Sequence, residues 1–152
     1  MPSAKCSVSA LQLARDMGEV SAKRQRIIAL QERAIRFSID VNACCPAHFS
    51  NPPSKVVWSQ LVRSADSVSN NLVEADDASS AADFMNKVGI ALRECKESRV
   101  TLMKLRIGRL DHHDEIEKRG LESEATQLAA IFAAIIRNMR LRLENQRHKV
   151  KR

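Results

Sequence analysis

The side chains of this chain best equipped for chemistry are its four histidines, its four cysteines and a regular series of carboxylates and cations. The run His112-His113-Asp114-Glu115 contains metal-ligating groups. Ligands on a helix need i,i+3 or i,i+4 spacing, and this run sits beside a loop, so it reads as a solvated loop. His48 and His148 are isolated, one in a proline-rich loop and one in a basic tail, and no paired Glu-x-x-His motif exists to hold a di-iron centre. Adjacent Cys44 and Cys45 lack a metal-ligand spacing, and there is no Cys-x-x-Cys. A thiol near a helix end is a candidate for activation, but no histidine is committed to serve it. Cys95 falls on an apolar stripe and reads as a small core residue. A glycine-rich phosphate loop and a Gly-x-Ser-x-Gly elbow are both absent. The expectation is a protein without catalytic residues, cofactor or metal.

The carboxylates and cations are more regular. Arg63, Ser67, Asn71 and Glu74 recur at helical spacing beside an apolar stripe. Lys87, Glu94 and Glu97 lie close together on one side of the next helical segment, around Ile90. A Glu–Arg or Lys–Glu pair between the two helices is expected, and the sequence does not fix which. Two readings stand: solvated faces laced with i,i+4 charges, worth tenths of a kcal/mol, or a partly buried polar network that sets register or subunit pairing.

Four segments of helical periodicity position these residues. The first, from about Ala22 to Cys44, has its apolar stripe at Ile27, Leu30, Ala34, Phe37, Val41 and Cys44. Pro46, Pro52 and Pro53 end it. The second begins near Ser54 as its cap and carries Trp58, Leu61, Ala65, Val68, Leu72 and Ala75. Ser80 caps the third, with Asp83 in its first turn, and Phe84, Val88, Ala91, Cys95, Ser98, Leu102 and Leu105 follow up to about Gly108. Gly120 marks the entry to the fourth, with Leu121, Ala125, Leu128, Phe132, Ile135 and Met139. Spacings that alternate between 3 and 4 give the period of left-handed bundle packing. The fold class is therefore all-α, an antiparallel up-down-up-down four-helix bundle over residues 22–141, with an N-terminal tail (1–21) and a basic C-terminal tail (142–152). Ile28, Ile35, Ile131 and Ile136 lie off the main stripes, which is either a wide core face or an oligomer surface.

Bulk composition agrees. With 152 residues, 44% hydrophobic, 28% charged and 3% aromatic, the chain suits one helical domain. No run of about 18 apolar residues exists to span a membrane, and no apolar leader opens the chain. Reduced thiols and a cytoplasmic location are expected. The net charge of +7 is unevenly placed. Arg137, Arg140, Arg142, Arg147 and Lys149 crowd the last turns against Glu144 alone, and Arg93, Lys96 and Arg99 stud the third helix. A basic protein with few aromatics would contact nucleic acid through phosphate, with weak sequence preference and steep salt dependence.

The stretch Ser59-Gln60-Leu61-Val62-Arg63-Ser64-Ala65-Asp66-Ser67-Val68-Ser69-Asn70-Asn71-Leu72-Val73-Glu74 resembles the signature of the four-helix-bundle proteins called 23S rRNA-intervening-sequence proteins. The resemblance continues through Lys87, Ile90-Ala91-Leu92-Arg93-Glu94 and Glu97. It resumes at Glu124-Ala125, Leu128, Ile131-Phe132 and Ile135-Ile136, so that it spans about Ala22 to Met139. Ser69 stands where many members have Pro and Ala75 where many have Gly, which implies a straighter, longer second helix. The resemblance implies a bacterial cytosolic homopentamer with no catalytic residues. The family is named for genes inside inserted segments of ribosomal RNA genes, a context that suggests RNA. The accessory variability protein of diversity-generating retroelements is similar, and it implies a reverse transcriptase as a further partner. The expected function is a non-enzymatic oligomeric bundle that binds structured RNA or other nucleic acid through basic surfaces; the alternative is a protein-interaction scaffold without a nucleic-acid role. Its nucleic-acid residues would be Arg93, Lys96, Arg99, Arg137, Arg140, Arg142, Arg147 and Lys149. Its structural polar network would be Arg63, Asn71, Glu74, Lys87, Glu94 and Glu97.

Overall fold

The computed structural model describes residues 10–49, 51–107 and 115–150. They form four helices and no strand among the described residues: α1 (Ala10–Ala43), α2 (Pro52–Asp76), α3 (Ala81–Ile107) and α4 (Glu115–Val150). None of these helices is long and apolar enough to cross a membrane. The loop residues His112, His113 and Asp114, and Cys6 in the N-terminal stretch, lie outside the described residues.

Contacts between helices fix their directions. Arg24 of α1 meets Asp76 of α2, while Ser38 meets Asp66, so one helix descends as the other climbs. Glu74 and Lys87, then Ser64 and Ser98, give the same opposite sense to α2 and α3. Arg106 faces Glu122 near one end of the α3–α4 seam, and Gly89 and Leu92 face Ala133 and Ile136 near the other. Arg33 with Glu124 and Cys44 with Glu117 close α4 onto α1. The result is an up-down-up-down bundle in which α2 and α3 pack most extensively and α1 and α4 least.

The 3,4 stripes make the core. Trp58, Leu61, Ala65, Val68, Leu72 and Ala75 of α2 are all buried, as are Val88, Ala91, Cys95, Leu102 and Leu105 of α3. Ala34, Phe37 and Val41 join them from α1, and Leu121, Ala125, Leu128 and Phe132 from α4. Ile27, Leu30, Cys44, Phe84, Ile135 and Met139, at the stripe ends, are half-buried. Ser98, on the apolar stripe, is fully buried and satisfied: its Oγ lies 2.7 Å from the buried Ser64 Oγ, and Ser64 also donates to the Leu61 carbonyl. Pairing both hydroxyls avoids the cost of about 1–3 kcal/mol that an orphaned buried polar group carries. Off the stripes, Ile131 and Ile136 pack on the core, whereas Ile28 and Ile35 face outward. The wide-core reading of these positions thus holds for α4, whereas Ile28 and Ile35 of α1 lie outside the core.

Helix ends differ from the sequence expectation in four places. α2 starts at Pro52, and its cap is Asn51, whose Oδ1 accepts from the Ser54 N–H at 2.9 Å. Both prolines sit in the first turn, where a missing N–H removes no helical bond, so the helix can include them. Ser54 is consequently a buried residue of that turn and not the cap. α4 starts at Glu115 and runs through Gly120. A single exposed glycine costs about 1 kcal/mol, which the burial of Leu121 beside it offsets. α1 begins at Ala10, not near Ala22, because Ala, Leu, Gln, Arg and Met sustain a helix where apolar periodicity is weak. α4 continues past Met139 to Val150, with Arg147, His148 and Lys149 opposing the negative end of its dipole. The Ser80 cap is as expected, since its Oγ accepts from the Asp83 N–H at 3.1 Å. The second helix is unbroken through Ser69 and Ala75.

Two substitutions check these ends. In urea denaturation, Asn51→Ala should lose about 1 kcal/mol through the lost cap. Gly120→Ala should gain about 0.5–1 kcal/mol, because a Cβ there meets nothing within 4 Å.

Candidate nucleic-acid interface

Among the described residues each seam of the bundle carries an ion pair. Arg24 and Asp76 join α1 to α2 at 2.5 Å, and Lys87 and Glu74 join α2 to α3. Arg106 and Glu122 join α3 to α4 at 2.8 Å. The most elaborate pair closes α1 against α4: Arg33 donates from Nε and an Nη to both carboxylate oxygens of Glu124, at 2.5 and 2.8 Å, and to Gln127 at 2.7 Å. The Glu124 hydrogen bonds hold the Arg33 pKa above its ordinary value. A planar fork on a carboxylate fixes angle as well as distance, which suits the least packed seam. On the α1–α2 seam, Ser38 and Asn42 both donate to Asp66 Oδ1.

Of the polar-stripe residues, Lys87 and Glu74 are brought into direct contact. Asn71 turns back on its own helix and donates to the Ser67 carbonyl at 2.9 Å. Arg63 and Glu97 are exposed, and Glu94 lies half-buried near both. Burial and the neighbouring Glu97 push the Glu94 carboxyl above its usual range, and Arg93 and Arg63 partly oppose that. The buried polar link across this seam is the Ser64–Ser98 pair, which apolar periodicity hides. The Arg33–Glu124, Arg24–Asp76 and Arg106–Glu122 pairs were equally invisible, because their partners are 91, 52 and 16 residues apart.

The basic side chains occupy three places. Arg93, Lys96 and Arg99 are exposed on α3. Arg137 and Arg140 line a groove between α3 and α4 with Gly89, Leu92, Ala133 and Ile136. Arg142 borders an apolar pocket of about 550 Å³ at the bundle end, among Ile27, Leu30, Leu72, Phe84 and Ile135. Arg147 and Lys149 are exposed in the last turn of α4, where every described side chain from Arg140 to Lys149 except Leu143 faces solvent. None of these eight cations is in an ion pair among the described residues.

The described thiols, Cys44, Cys45 and Cys95, are poorly suited to nucleophilic work. Burial and Glu117 push the Cys44 thiol up to about 11, and burial pushes Cys95 up to about 12. Cys45 is raised by burial as well. A helix C-terminus with a carboxylate beside it disfavours the thiolate, so the position of Cys44 does the opposite of activating it. Among the described residues no cluster of three or more His, Cys, Asp or Glu could hold a metal ion.

Glu94 supplies a pH test. Its folded-state pKa is raised, so ionising it at neutral pH costs stability, and the cost vanishes once it is protonated in both states. Glu94→Gln should therefore melt above the parent at pH 7 and level with it at pH 3.5, below the ordinary glutamate value of about 4.3. A parent that melts higher at pH 7 would show that its arginine neighbours outweigh burial.

The pattern of the 23S rRNA-intervening sequence proteins matches residues 26–134, from the middle of α1 through the buried part of α4. A crystal structure of a protein with unknown function from the S23 ribosomal protein family of Bacteroides thetaiotaomicron is similar in fold, with a TM-score of 0.58 and 24% identity over 70% of this chain and 97% of that one. No curated protein matches the chain. A family pattern that takes in all four helices and their buried stripes settles the affiliation: the chain belongs to the 23S rRNA-intervening sequence protein family.

Proposed function

We propose that this protein is a non-enzymatic oligomeric bundle, a homopentamer, that holds structured RNA by its phosphates. The observation that carries the reading is the division of labour among its cations. Arg24, Arg33, Lys87 and Arg106 are taken up by the four seams, whereas the exposed cations of α3 and the last turns of α4 are in no ion pair among the described residues. Unneutralised guanidinium and ammonium groups along a helix displace the counterions of a phosphate backbone, and that release is the main source of sequence-independent affinity. Repetition of the same helix in each subunit would multiply the field. Aromatic residues make up only 3% of the chain, so base stacking contributes little, and contacts fall on phosphate and sugar. In a retroelement setting the same scaffold would present RNA to a reverse transcriptase, and its place of action would be the cytoplasm.

Exposed isoleucines on α1 favour a second element of the reading, self-association, over a monomer. A scaffold that joins only proteins would use that surface and leave the cations idle.

Binding of a labelled RNA hairpin across a salt series separates these outcomes. The parent should bind at low salt and weaken steeply as salt rises. Arg142→Ala/Arg147→Ala/Lys149→Ala should bind more weakly, with a plot of log K against log salt shallower by about 2. Absence of binding at low salt, or equal slopes for the two proteins, would remove phosphate recognition by α4.

A further inference from the structure

We propose that the groove between α3 and α4 receives the outward isoleucine face of α1 from a second copy of this chain. The inference rests on the self-association proposed above and adds which two surfaces meet. Ile28, Ile35 and Ile39 recur at spacings of 7 and 4, one stripe on the side of α1 opposite Ala34, Phe37 and Val41. They are 40%, 42% and 53% exposed, while the three core residues are at most 1% exposed. A single exposed isoleucine needs no explanation, but three on one stripe form a continuous apolar ridge that the fold of one chain does not use.

The groove has the complementary shape. Small residues form its floor: Gly89 on α3 faces Ala133 on α4, with Leu92 and Ile136 as walls and the exposed Leu141 at one end. It encloses about 540 Å³. A Cβ at Gly89 would meet nothing within 4 Å, so the packing of the chain itself leaves this space open. Ile28 and Ile35 are about 10 Å apart along their helix, and Ala133 and Leu141 are about 12 Å apart along theirs, so a two-isoleucine ridge matches the groove in length. Charge matches as well. Glu32 lies among the isoleucines, with Arg36 one turn on. Arg140 lies on the groove rim with Glu144 one turn on, and Arg137 beside them. When the incoming α1 runs in the same direction as the receiving α4 and Ile28 sits beside Ala133, Glu32 comes level with Arg137, within one turn of Arg140, and Arg36 comes within one turn of Glu144, so Glu32 meets the rim cations.

Ridge and groove are different surfaces, so the contact is heterologous. Each copy offers both, and a ring results where the rotation between copies closes, as in the homopentamer proposed above. Arg137 and Arg140 then lie at a subunit seam, and Arg142, Arg147 and Lys149 remain for phosphate.

Two variants damage one surface each: Ile35→Arg spoils the ridge and keeps the groove, and Gly89→Leu fills the groove and keeps the ridge. Circular-dichroism melting reports that each is folded, and light scattering at micromolar concentration reports mass. The expected result is a parent that assembles and two variants at the 17.0 kDa of one chain. On mixing, the variants should form a one-to-one complex of twice that mass, because one intact ridge meets one intact groove. Folded variants that both keep the parent mass, or single-chain variants that fail to combine on mixing, would overturn the pairing while leaving self-association intact. A parent of 17.0 kDa would overturn both.

Discussion

The apolar heptad is the constraint on which the rest of this structure depends. Residues three and four apart, repeated through five or six layers, give each helix one stripe that must leave water. Four such stripes, from Val41 and Phe37 on α1 to Leu128 and Phe132 on α4, meet in one core anchored by Trp58. Ion pairs are secondary in energy, because the seam pairs are part-exposed and solvent screens them. Their value lies in selection. An ion pair on each seam favours the observed order of neighbours over the mirror arrangement that an apolar stripe alone would tolerate.

The same constraint decides which faces are free. α2 and α3 share the most extensive seam and α1 and α4 the least. α1 therefore meets its neighbours along a narrow strip, with the Arg33–Glu124 fork to hold its angle, and keeps an outward face that carries isoleucine. The last turns of α4 carry exposed side chains from Arg140 to Lys149, Leu143 excepted. An outward apolar face on α1 and a basic stretch of α4 with Glu144 alone against its cations are two surfaces left over when the core is satisfied. Assembly and phosphate binding are the two uses their chemistry fits.

The core was legible in the sequence because the helical period is local: Trp58, Leu61, Ala65, Val68, Leu72 and Ala75 predict one another within a few turns. Ser98 shows where this stops. Its place on the stripe was visible, but its partner Ser64 sits 34 residues away, and only register brings the two together. The Arg24–Asp76, Arg33–Glu124 and Arg106–Glu122 pairs are hidden for the same reason, whereas Lys87–Glu74 is a Lys–Glu pair of the kind the polar stripes predict. Capping was half legible. Ser80 precedes an acidic first turn and reads directly, whereas Asn51 is separated from its helix by two prolines that look like a barrier and serve as the first turn. The helical extensions at Ala10 and Val150 rest on propensity without periodicity, the weakest sequence signal. The basic residues could be counted from sequence but not grouped. Arg137, Arg142 and Lys149 fall in three surroundings because α4 turns its successive faces to α3, to α1 and to solvent.

The most direct measurement is the map of protein–RNA cross-links on the assembled protein bound to a structured RNA. The account predicts cross-linked peptides from the last turns of α4, between Arg142 and Lys149, and from the Arg93–Arg99 stretch of α3, with none from the ridge of α1. Cross-links centred on Ile28–Ile39 of α1 or on the acidic end of α2, with α4 untouched, would contradict it.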